Sequence, residues 1–268
     1  MTRTLSVSGS YQIQRTTVFN VSVSPADQLL IDRTFPQYLL SSFAASLIRD
    51  TRDDAVAPGA GEYLSANSQF AARRIGSQVG FAKSFFTAQL FRTLPGTQGI
   101  VFAGNARLGL AGGFPRDAID NAGRPIVDTG GRPLVIRDLP QSERFYAGGD
   151  TTVRGFALDR LGVRHVPSRP GDTIDPNGFS LGGNGLVIFN AEVRAPVRAS
   201  LGVVGFADTG NVFARVADID LGELRSAVGV GLRYKSPVGP IRVDLGFKVK
   251  RQVNEGLTAW FVAFGQAF

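Results

Sequence analysis

The chain has 268 residues, enough for one large domain or two small ones with a sizeable core. Glycine (33) and phenylalanine (20) are over-represented, cysteine is absent and histidine occurs once, as His165, so disulfide frameworks, thiolate zinc sites, cysteine nucleophiles and multi-histidine metal centres are excluded. The 29 Lys+Arg against 22 Asp+Glu leave +7, a balance compatible with nucleic acid, an anionic lipid surface or an arginine-lined interior. Charged residues at 19% and a mean hydropathy of +0.05 are too apolar for a disordered basic tail and high for a soluble nucleic-acid binder. No stretch approaches a transmembrane helix; the best, 39–48, is short and broken by Ser41, Ser42 and Ser46. The opening residues, Met1 to Val7, lack the apolar core of a signal peptide, so the protein is expected either to stay where it is made or to lack its true N-terminus.

Read in chain order, period-two alternation predicts strands near 4–15, 38–50, 62–72, 79–93, 99–111, 184–195, 200–212, 227–235, 241–250 and 257–268. Contrast is highest in the eighth and ninth. Val228, Val230, Leu232 and Tyr234 share one face and Gly229, Gly231, Arg233 and Lys235 the other; Ile241, Val243, Leu245, Phe247 and Val249 then oppose Arg242, Asp244, Gly246, Lys248 and Lys250. Ser236-Pro237-Val238-Gly239-Pro240 between them is a turn, so the pair is a hairpin.

About ten residues is what a tilted strand needs to cross a bilayer, and a membrane barrel alternates apolar-outward with polar-inward. A soluble sandwich alternates too. The polar face weighs toward a barrel with a wet interior: Asn105, Arg107, Asn190, Arg194, Arg233, Arg242, Asp244 and Lys248 sit mid-strand between apolar neighbours. Connectors weigh the same way. Those after the second, fourth, sixth and eighth strands are mostly short (94–97, 196–198, 236–240), whereas 23–37, 213–224 and above all 113–180 are long, the asymmetry of outer-membrane barrels, whose long loops face outside the cell. Both chain ends then fall on the periplasmic side. The final stretch puts Trp260, Val262, Phe264 and Phe268 on one face, as an interfacial aromatic girdle or as a last core strand.

The segment Phe145-Tyr146-Ala147-Gly148-Gly149-Asp150-Thr151-Thr152-Val153-Arg154-Gly155-Phe156 resembles the sixth-surface-loop motif of the BamA/TamA family of outer-membrane assembly barrels, the bacterial surface antigen family. Supporting segments follow in that family's order: Asp50-Thr51-Arg52-Asp53 with Pro58 and Gly61, Gly182-Gly183-Asn184, Glu192 with Pro196, Phe206-Ala207-Asp208-Thr209-Gly210, the Ser236–Pro240 turn and the C-terminal aromatic. The resemblance covers about 38–268 and implies an all-β, antiparallel up-and-down transmembrane barrel occupying 1–268. The family's barrel has sixteen strands behind periplasmic POTRA domains, so ten strands imply either the C-terminal part of a longer protein or a shortened member. It implies the outer membrane of a diderm bacterium, contact with outer-membrane lipid including lipopolysaccharide, unfolded outer-membrane protein clients, and upstream POTRA domains and accessory lipoproteins as partners. It implies folding and insertion of other barrels without covalent chemistry, with no cofactor, metal, catalytic residue or nucleic-acid partner. A pore or polypeptide secretion transporter on the same architecture is the alternative.

Within the motif, Gly148, Gly149 and Gly155 allow tight turns and close approach, Val153 and Phe156 flank the arginine, and Arg154 offers a fork of donors suited to a carboxylate. An arginine alone in a low-dielectric interior is costly, so it calls for an acidic partner; otherwise it is a solvated loop residue. By resemblance the partner is Asp208, with Glu192 nearby, and parity agrees: Asp208 shares a face with Gly202 and Val204, Glu192 with Asn190 and Arg194. In the family the first and last strands meet at a weak seam. Here Trp260, Phe264, Gly265 and Phe268 mark that last strand, and Gly256 and Gly265 weaken its packing.

Three other features read as structural. Leu181 to Gly185 lacks the context of a phosphate loop and is a strand entry. His165 has no triad spacing and is expected to be solvated. Asp50, Arg52, Asp53 and Asp54 lack the closing Glu of a calcium loop, and form instead a turn with an Arg52 ion pair and aspartate bonds to the backbone.

Overall fold

The computed structural model describes residues 4–17, 37–118, 124–137, 139–237, 239–252 and 255–268. The long strands are β1 (Leu5–Thr17), β2 (Gln37–Asp50), β3 (Gly61–Ala71), β4 (Phe81–Thr93), β5 (Val101–Gly113), β8 (Gly185–Arg198), β9 (Leu201–Phe213), β10 (Arg225–Ser236), β11 (Gly239–Lys248) and β12 (Thr258–Phe264). They form one ten-stranded antiparallel sheet in which each strand pairs with its neighbours in sequence. β6 (Arg116–Asp117) and β7 (Val135–Ile136) make a separate two-stranded ladder inside the connection from β5 to β8. Among the described residues β1 and β12 each pair on one side only, so these ten strands do not close on themselves. No helix is long and apolar enough to cross a membrane, which says nothing against crossing by strands.

Register explains the two faces. Pairings Val228↔Ala207, Val230↔Gly205, Leu232↔Val203 and Val243↔Val262 line up apolar side chains on the outer face across four adjacent strands. The eight positions expected to point outward in β10 and β11 all do, and most are strongly exposed on this isolated chain. Trp260 and Phe264 extend that surface at 71% and 74% exposure, whereas Arg242 and Asp244 on the inner face are at 1% and 0%. A continuous apolar outside with charges inside inverts the ordinary soluble pattern, and an apolar surrounding phase resolves it. Connectors after β2, β4, β8 and β10 are 51–60, 94–100, 199–200 and 237–238; those on the other side include 72–80, 214–224, 249–257 and the long 114–184. The expected connector 23–37 lies, apart from Gln37, outside the described residues, as does Val238.

The last strand differs from expectation. Pairing of β12 with β11 runs out at Ile241↔Phe264, because the next residue on β11, Pro240, has no N–H to donate. Gly265, at φ +86°, turns the chain there and donates its own N–H to the Pro240 carbonyl at 2.7 Å. Phe268 therefore leaves the outer face. Its ring lies 6.5 Å from that of Phe91 on the inner face of β4, with the Arg194 guanidinium 5.5 Å above it. Trp260, Val262 and Phe264 alone keep the outward aromatic face.

The facing assignment is testable by cysteine scanning in liposomes. Cysteines at Val243 and Leu245 are expected to react with a lipid-soluble reagent, and one at Ser10, on the open inner face of β1, with a water-soluble maleimide. Equal water-soluble labelling at all three would refute the membrane orientation of the sheet.

Candidate functional site

The β5–β8 connection folds back over the concave face and delivers the Gly148–Phe156 segment to the inner wall of β8, β9, β10 and β11. Val153 and Phe156 are fully buried in a cluster with Leu186, Ile188, Val212 and Ala227. Gly148 and Gly149 take φ of +108° and +100°, and Gly149 donates to the Phe156 carbonyl at 2.9 Å, so the segment closes on itself. Gly155, at φ +150°, lies where a Cβ would overlap that of Ala227. Only glycine serves there.

Arg154 is 1% exposed. Its Nε and Nη2 donate to the two Asp208 oxygens at 2.8 and 2.9 Å, its backbone N–H donates to the same carboxylate at 2.9 Å, and Nη1 donates to Glu192. The guanidinium also lies 3.7 Å from the centroid of the Phe206 ring. The two-pronged geometry and ring stacking are specific to arginine. Asn190 supports the arrangement, donating to Asp208 at 2.8 Å and to the Thr152 carbonyl.

Both expected acidic partners thus meet Arg154, but they belong to a wider network. Asp244 accepts from Arg233 at 2.6 Å and from Arg242 at 2.9 Å, and lies 3.8 Å from Arg154. Arg242 reaches Asp150 of the loop, and Arg194 donates to Glu192 at 2.7 Å. Four arginines (154, 194, 233, 242) therefore face four carboxylates (150, 192, 208, 244), and the charges cancel. Such pairing offsets the cost of burying so many charges. Arg107 adds a hydrogen bond to the Thr151 carbonyl at 2.7 Å.

The sequence placed Arg194, Arg233, Arg242 and Asp244 on the inner face without pairing them. The usable signal was opposite charge at alternate residues of one strand, Glu192/Arg194 and Arg242/Asp244, which puts the pair side by side on one face. Gly246 was also missed as a contact: its Cα lies so close to the Arg154 carbonyl that a Cβ would overlap backbone.

Outside this centre the structural readings stand, with one change. Arg52 donates to both Asp50 oxygens, and Asp53 accepts N–H groups from Gly59, Ala60 and Asp54, bonds that hold its carboxyl below the usual range. His165 is not free in solvent; its Nδ1 lies 2.6 Å from Asp172, seven residues on in the same loop. Among the described residues no group of three His, Asp or Glu is placed to hold a metal ion.

A meander of amphipathic strands, apolar outside and charged within, with a returning loop ion-paired to its inner wall, defines a section of a transmembrane β-barrel wall with a long loop folded against its inside. Residues 1–268 match the model of the Omp85 superfamily domain, and the chain belongs to that superfamily. It is 26% identical over 202 residues to the outer membrane protein assembly factor BamA of Nitratidesulfovibrio vulgaris, covering 74% of this chain and 22% of that protein. It is 31% identical over 145 residues to the sorting and assembly machinery component 50 homolog of Bos taurus, covering 54% of this chain and 25% of that one. The crystal structure of BamA from Haemophilus ducreyi lacking POTRA domains 1–3 superposes with a TM-score of 0.66 at 16% identity, over 97% of this chain and 51% of the other. The chain thus spans about a quarter of the length of these curated relatives.

Proposed function

We propose that this chain is the C-terminal part of an outer-membrane barrel that assists the folding and insertion of other outer-membrane proteins, without covalent chemistry. The observation that carries the reading is the Arg154–Asp208–Glu192 lock, which ties a long loop to the inner wall of the sheet and leaves each carboxylate there engaged by arginine rather than poised as acid or base. Relatives named as assembly factors support it. β12 joins β11 through seven residue pairs where β10 and β11 share ten, and a short ladder of this kind can give up its edge to an extended client strand. Trp260 and Phe264 beside that edge suit a bilayer interface, and Gly265 ends its ladder. Unfolded outer-membrane proteins, outer-membrane lipid including lipopolysaccharide, upstream POTRA domains and accessory lipoproteins are the partners this reading assigns.

The test is reconstitution of the full-length protein into liposomes with a urea-denatured small barrel as client. Faster appearance of folded, protease-resistant client is expected. Client folding at the rate of protein-free liposomes, together with ion conductance through the reconstituted protein, would replace assembly with transport.

A further inference from the structure

Beside the neutral lock lies a cleft of about 400 Å³ with a very different charge balance, walled by the end of β11, the start of β10 and the loop segments 156–164 and 174–178. It holds Arg160, Arg164, Arg225 and Lys248 against a single carboxylate, Glu255. Arg225 donates to both Glu255 oxygens, at 2.7 and 2.5 Å, so that pair is internally neutral. The hydrogen bonds of the other three cations among the described residues go to backbone oxygens, Arg160 to Gly178, Arg164 to Pro176 at 3.2 Å and Lys248 to Gly256 at 2.7 Å, and the Arg160 guanidinium also lies 4.5 Å from the centroid of the Phe179 ring. Phe156, Ile174 and Pro176 supply apolar walls.

Three cations lining one half-open cleft without carboxylate partners of their own among the described residues raise the local positive potential, and a cleft of one sign of charge concentrates anions. The volume is in the range of small-molecule sites. Guanidinium forks match phosphoryl oxygens, and carbonyl-bonded guanidinium and ammonium groups keep further N–H donors for a ligand. The neighbouring network shows the contrast: Arg154, Arg194, Arg233 and Arg242 each have a carboxylate partner. We infer that the cleft of Arg160, Arg164 and Lys248 binds a phosphoryl anion, from either a phosphorylated lipid headgroup or a free phosphate compound. The bound anion sits against Phe156, whose ring already carries the Arg225 and Lys248 cations at 4.6 and 5.0 Å, and so adjoins the locked segment.

The experiment titrates inorganic pyrophosphate by calorimetry into the full-length protein held in phosphatidylcholine nanodiscs. Saturable binding is expected. The Arg160→Gln/Arg164→Gln variant, both positions in a loop outside the lock, should stay folded by heat-modifiable migration and bind about tenfold more weakly or worse, the loss of a charge-assisted contact. Glu255→Gln should bind more tightly, because it removes the cleft's one anion. Nanodiscs containing lipopolysaccharide separate the sources: suppressed pyrophosphate binding, restored when the lipopolysaccharide is dephosphorylated, identifies a headgroup, and unaltered binding identifies a soluble anion. Absence of pyrophosphate binding without lipopolysaccharide, or undiminished binding by the folded double variant, overturns the inference.

Discussion

Arg154→Ala and Asp208→Ala are each expected to release the long loop, seen as rapid proteolysis within 114–184 in the membrane-embedded protein. Removing Arg154 strands the Asp208 carboxylate, and removing Asp208 takes from Arg154 the partner of both prongs and leaves it Glu192, a loss of up to about 3–5 kcal/mol for a buried pair. The double variant should be barely worse than either single one, because the second deletion removes the very charge that the first stranded. Arg154→Lys should rescue only partly. It keeps the charge but gives up the fork that spans both Asp208 oxygens and the flat face stacked on Phe206. If the two single losses simply add, Arg154 and Asp208 do not act as partners.

Gly246→Ala is expected to expel the loop as effectively, although it touches no charge. The added methyl would overlap the Arg154 carbonyl carbon and oxygen and crowd the Gly155 nitrogen, all backbone, with no flexible side chain to give way. Overpacking ordinarily costs about 1–3 kcal/mol, and a clash of two main chains belongs at the top of that range or above it. Gly205→Ala is the control: it faces outward on β9, with nothing within 4 Å of its Cβ. Limited proteolysis of both variants decides the matter. Equal loop protection in the two would show that the close approach of β11 to Arg154 carries no energetic weight.

Strand positions were legible because period two with a one-sided apolar face is enforced at every residue of a sheet that meets two different phases. The end of β12 was not, since Phe268 falls on the parity of Trp260 and Phe264 while the pairing partner becomes Pro240, and parity carries no information about a missing donor. Arg154 and Asp208 were legible through the motif and the face of β9. Asp150, Arg242 and Asp244 completed the lock only in three dimensions: which inner-face charge meets which loop residue depends on the path of the returning loop, which nothing in a strand's alternation encodes. The same applies to Gly246, whose meaning lies in what passes above it. The cationic cleft joins residues from distant stretches, 160–164 and 225–255, with no common pattern.

The returning loop does not touch the sheet evenly. Its ion pairs fall on β8 to β11, while Phe145 packs on Phe85 of β4 and hydrogen bonds tie the loop to β4 through Lys83 and the Glu143 carbonyl and to β2 at Tyr38 and Glu143. Beneath β1, β2 and β3 the concave face is instead an open hollow of serine, asparagine and glutamine, including Ser8, Ser10, Ser46 and Asn67. In mechanical terms the loop is a strut whose ionic joints sit on β8 to β11 and whose lighter, hydrogen-bonded joints sit on β2 and β4.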